Sequence, residues 1–77
     1  MRTMTELIAV VEVGHNAFAT MPEHFEWIVK QNVQKQADEL GRVLTSVSCG
    51  AINNFHTTDE GSVYEVVEVW AKGIIND

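Results

Sequence analysis

The chain has one cysteine, Cys49, and one proline, Pro22, in 77 residues. A lone cysteine excludes an intramolecular disulfide and suits a reducing compartment, so a cytoplasmic protein is expected. Basic residues are also few. Arg2, Lys30, Lys35, Arg42 and Lys72 stand against eleven acidic residues, for a net charge of −6. Neutralising phosphates takes clustered Lys and Arg, and these five are scattered, which argues against a sequence-independent nucleic-acid binder. No apolar run approaches the ~18 residues that span a bilayer. Arg2 and Ala17-Phe18-Ala19 imitate the flanks of a signal peptide, but the apolar stretch at 7–11 is too short for its core and Glu6 and Glu12 bracket it. A partner in the membrane is therefore not expected. The five glycines make no phosphate-cradling pattern.

These absences bear on stability. A chain of this length buries only about 60% of its unfolded surface, and such domains usually add a disulfide, a structural metal or oligomerisation. His15, His24 and His56 lie at loop-scale separations, with no pair at i,i+4 and no Cys-x-x-Cys companion, so they read as solvated histidines and no metal is expected. A homo-oligomer remains.

What is present is periodicity. "ELIAVVEV" at 6–13 is rich in β-branched residues and reads as a strand, with Leu7, Ala9, Val11 and Val13 on one side and Ile8, Val10 and Glu12 on the other. "GHNAFAT" reads as a loop. "TMPE" then offers a helix start, Thr20 capping the backbone and Glu23 returning the bond, with Pro22 in the first turn. The helix runs to about Leu40, its stripe formed by Phe25, Val29, Val33, Ala37 and Leu40, with i,i+4 pairs Glu26 to Lys30 and Asp38 to Arg42 and a terminator at Gly41. "RVLTSVSCGAIN" reads as a second strand that turns Val47, Cys49 and Ala51 to the core, with Leu44, Ser46, Ser48, Gly50 and Ile52 opposite. "NNFHTTDEGS" is turn chemistry, with Gly61 for a positive φ. "VYEVVEVWAKGI" is the third strand, alternating Val67, Val69 and Ala71 against Tyr64, Val66, Glu68 and Trp70. The expected fold is α+β, a single β-α-β-β domain over 1–77 whose three-stranded, mostly antiparallel sheet packs on one helix.

One helix covers one face. The other would display Ile8, Val10, Ile52, Tyr64, Val66 and Trp70, interrupted by Glu12 and Glu68, and such a patch marks an interaction surface. Trp27 lies about 160° from the centre of the helix stripe, either for contact with a subunit or ligand or under a folded-back segment 17–21. The candidate ligand or interface residues are Trp27, Tyr64, Val66, Glu68 and Trp70. Trp27, Trp70, Tyr64 and Phe55 are suited to stacking a small planar ligand. Cys49 reads as a small core hydrophobe, and Glu12 and Glu68 as rim charges. No catalytic residue is expected, and the residues alone indicate no cofactor. An acid-base enzyme using Glu12 or Glu68 would need a pocket that the sequence does not display.

The β-α-β-β order, the length, and three pieces, "VVEVG", "SCGAI" and "YEVVEVWAKG", resemble dodecins. That resemblance implies a small flavin-binding and storage protein assembled into hollow dodecamers. It carries over to Gly50 and Tyr64 as structural positions, while the flavin-sandwiching tryptophan of the family's second strand has no counterpart between Arg42 and Ile52. The leading functional expectation is a non-catalytic, self-associating binding protein with a ligand or partner at a subunit interface. The alternative is a small acidic inhibitor, of the kind phages and mobile elements encode, that docks Glu23, Glu26, Asp38, Glu39, Asp59 and Glu60 on a basic protein surface.

Overall fold

In the computed structural model, which describes residues 3–76, five elements follow one another: β1 (Met4–Gly14), α1 (His15–Thr20), α2 (Pro22–Leu40), β2 (Leu44–Thr57) and β3 (Val63–Asn76). Arg2, one of the scattered cations, lies outside the described residues. The strands form one antiparallel sheet in the order β1-β3-β2, so the last strand is central. Its composition suits that place. Val67, Val69, Ala71, Gly73 and Ile75 are all buried on one side, where α2 lies on them through Val29, Val33 and Ala37. With Leu7 these make the core, and Ala9, Val11, Val13, Phe18, Phe25, Leu44 and Cys49 pack around it. At Gly73 a Cβ would collide with Val33 Cγ1 and lie 2.6 Å from Leu44 Cδ2, so the missing side chain lets the helix settle close to the sheet.

The segment read as a loop at 14–20 contains α1. No glycine or proline interrupts residues 15–20, and Phe18 packs against the core. This helix also removes the expected capping box. Thr20 Oγ1 donates to the Asn16 carbonyl at 2.8 Å within α1, and α2 begins after Met21 without a side-chain cap, with Pro22 in its first turn. The helix end is as expected: Gly41 adopts φ 68°, Gly41 N–H bonds to Asp38 O and Arg42 N–H to Ala37 O, each at 3.0 Å, which is a Schellman motif. The stripe ends one turn early, because Leu40 is 57% exposed and Leu44 fills the core at that end. Neither helix ion pair forms. Asp38 instead accepts a bond from Gln34 Nε2 at 2.9 Å, in line with the small gain of exposed pairs.

Two strand readings change. β2 continues through Thr57, paired with Val63, so residues 53–57 are strand and the turn shrinks to Thr58–Ser62 around Gly61 at φ 87°. A register shift between Leu44 and Ser46 moves Leu44 to the helix side. Val47 and Ala51, expected in the core, are exposed because α2 lies mainly over β3 and β1. The long β2–β3 hairpin outruns the helix, and the chain measures 51 × 24 × 17 Å. Its radius of gyration is 15.2 Å, where a chain of this length would ordinarily have about 11–12 Å.

Candidate functional site

The face of the sheet away from α2 has a simple row structure. Ile8, Lys72 and Ser48 form one row across β1, β3 and β2; Val10, Trp70 and Gly50 the next; Glu12, Glu68 and Ile52 the third. Beyond them Val66 lies beside Asn54 and Tyr64 beside His56. Gly50 decides the relief. A Cβ there would sit 2.7 Å from Trp70 Cζ2 and 2.9 Å from Cε2, so the indole lies directly over the β2 backbone. A large side chain next to a strand glycine packs in this way because the glycine offers no Cβ to hold it off. The result is an open groove of about 390 Å³ lined by Ile8, Val10, Ile52, Glu68, Trp70 and Lys72.

Its charges are paired across strands. Lys72 Nζ lies 3.5 Å from Glu6 Oε1, and Asn54 Nδ2 donates to Glu68 Oε1 at 2.8 Å. Glu12 and Glu68 stand directly opposite each other, an arrangement that repels when both are ionised. His56 stands beside Glu12. Its Nε2 lies 3.5 Å from Glu12 Oε1, shielded from solvent and without a hydrogen bond, while the ring stacks on Tyr64 at 5.6 Å. Protonated, this nitrogen would be a cation facing Glu12; neutral, it is an unmet polar atom.

Of the five candidate residues, the fold gathers four. Tyr64, Val66, Glu68 and Trp70 stand in line on the outer side of β3, with Tyr64 and Val66 beyond the groove and Glu68 and Trp70 in its lining. Trp27 is elsewhere. It is 58% exposed on the solvent side of α2, stacked on His24 at 6.4 Å, and the segment at 17–21 does not bury it. The helix and the sheet both lie between it and Trp70. The remaining histidine, His15, faces Glu65 at 3.7 Å, and among the described residues no three His, Cys, Asp or Glu side chains are placed to hold a metal ion. Cys49 is free and half-buried. No helix among the described residues is long and apolar enough to cross a membrane.

Sequence reasoning placed Ile8, Val10 and Ile52 on this face but missed the partners Asn54 and His56, which it assigned to a turn. Gly50 as the seat of Trp70 was also missed, although a glycine inside a strand pattern is the signal that marks such a close approach. No family model, curated protein or solved structure matches the chain.

Proposed function

We propose that this chain is a non-catalytic binding module that associates with itself through the outer face of its sheet and holds a ligand or partner in the groove at that interface. The observation that carries this reading is the uncovered face itself: Ile8, Val10 and Ile52 are each more than half exposed beside Trp70 on a sheet whose single helical layer lies on the other side. The surface area agrees in size. The chain exposes 5436 Å², roughly 700 Å² more than a folded monomer of its mass is expected to, and a standard interface takes about 800 Å² from each partner. Tyr64, Val66, Glu68 and Trp70 belong to this contact. Trp27, on the far side of the helix, would serve a separate one.

Light scattering coupled to size exclusion, with absorbance recorded across the peak, tests the reading on the intact chain. An oligomer that Val66→Asp or Trp70→Ala dissociates supports it, and a monodisperse monomer at micromolar concentration sinks it. A flavin is the planar ligand implied by the resemblance to dodecins, and an indole lining an open groove suits stacking it. Absorbance beyond the tryptophan band would carry that version.

The acidic-inhibitor reading is favoured by a different observation. Glu23 and Glu26 at the start of α2 and Asp59 and Glu60 in the hairpin turn lie toward the same end of the molecule, while Asp38 and Glu39 lie at the other. Binding to a basic surface would then weaken steeply with salt and depend on the first four carboxylates.

A further inference from the structure

We infer that the free edge of β2 is a second interface, closed by the same edge of another copy of this chain. Three hydrogen bonds establish which backbone groups the edge presents. Thr58 N–H donates to Ser62 O across the hairpin at 2.8 Å, so even-numbered residues of β2 point their backbone groups at β3. Phe55 N–H, by contrast, turns to the side chain of Asn54, bonding its Oδ1 at 3.0 Å, so odd-numbered residues point away from β3. On the opposite edge the Ile8 carbonyl accepts from Gln36 Nε2 at 3.1 Å, as an outward-pointing group of β1 should. The N–H and C=O groups of Val47, Cys49, Ala51 and Asn53 therefore form an open ladder.

That edge lacks the devices that ordinarily keep strands apart. From Leu44 to Thr57 there is no Asp, Glu, Lys, Arg or Pro, and the one register shift lies at the very start. β1 differs in both respects. It carries Glu6 and Glu12, and α2 reaches over to bond its edge through Gln36. Two chains of charge −6 repel, and the β2 edge is where they can meet without bringing formal charges into line. The open segment is also self-complementary. It is centred on Gly50, so a two-fold axis there sets Cys49 against Ala51 of the partner subunit and Val47 against Asn53 of the partner subunit, and such an isologous contact closes as a dimer. The union makes a six-stranded sheet in which two outer faces become one surface, with the exposed Val47 and Ala51 gaining cross-strand neighbours on the helix side.

Sedimentation equilibrium of the full chain and of two variants tests this up to about 100 µM. Ala51→Pro removes an outward N–H and no bond to β3, and Ala51→Glu adds a charge to the edge while leaving the backbone intact. The expected result is a dissociation constant at least about tenfold weaker in both variants, with circular dichroism like the parent. If Ala51→Pro fails to fold, Ala51→Glu alone decides. A parent chain that stays monomeric throughout the range overturns the edge contact, and so does association in Ala51→Glu at the parent's strength. Val66→Asp separates this proposal from the outer-face reading, because it alters that face and leaves the edge untouched.

Discussion

Replacing Gly50 with alanine sets two effects of known sign against each other. In most strands the change is favourable, since alanine reduces the freedom of the unfolded chain by about 0.4–1 kcal/mol. Here the new Cβ would lie 2.7 Å from Trp70 Cζ2 and 2.9 Å from Cε2, against the ~3.5–4.0 Å of ordinary carbon contacts. The indole must lift from the strand. Losing roughly 60 Å² of apolar contact on that face costs about 1.5 kcal/mol. The net expectation is a destabilisation of about 0.5–1 kcal/mol, or a few degrees in melting temperature for a domain of this size.

In a Trp70→Ala background the obstacle is gone, and the same Gly50→Ala change should stabilise by about 0.4–1 kcal/mol. The sign reversal is the diagnostic result, and the coupling of about 1.5 kcal/mol follows from urea melts of the four proteins at one fixed concentration. A Trp27→Phe background leaves Trp70 as the sole tryptophan, so its emission should shift to the red when Gly50→Ala lifts the ring. A coupling below about 0.3 kcal/mol with unchanged emission would show that the indole does not rest on Gly50, and the shape assigned to the groove would fail with it.

Val33 is fully buried above Gly73, so Val33→Ala should cost about 2–3 kcal/mol in a urea melt. Gly41 holds φ 68° at the end of α2, and Gly41→Ala should destabilise by about 1–2 kcal/mol. Thr20 bonds within α1 and does not cap α2. Thr20→Ala should therefore change stability by less than about 0.5 kcal/mol, where loss of a working N-cap would cost about 1 kcal/mol.

Legibility in the sequence followed the strength of periodicity. The alternation of 63–74 and the spacing of Val29, Val33 and Ala37 identified the central strand and the buried helix face, because both patterns arise from burial itself. Asn54 to Thr57 was read as turn from composition, and the pairing of those residues with 63–66 overrode it. A propensity describes one residue, whereas a ladder partner supplies hydrogen bonds from across the sheet. Thr20 shows the same limit. Its pattern with Glu23 satisfies the capping-box rule, but α1, held by Phe18 on the core, engaged its hydroxyl first. The candidate site was legible wherever residue parity sufficed, as for Tyr64, Val66, Glu68 and Trp70. Trp27 did not join them, because it stands opposite the helix stripe and that stripe covers the other side of the sheet.

Strand order has a functional consequence that the alternation pattern alone did not reveal. With β3 central, the most apolar strand is paired on both sides, and the edges fall to β1 and β2. β1 is guarded by two glutamates and by Gln36, whereas β2 has neither charge nor cover. The polar, serine- and asparagine-rich character of β2 keeps it soluble as a free edge, but it leaves fourteen residues without a formal charge in a chain where charged residues make up 21%. A monomer selected for solubility would gain by placing a lysine there, as strand edges commonly do. Its absence is easier to understand if the edge spends its time paired, and that makes Ala51→Glu the more informative of the edge variants: it supplies the missing charge at a position where the monomer itself has nothing to lose.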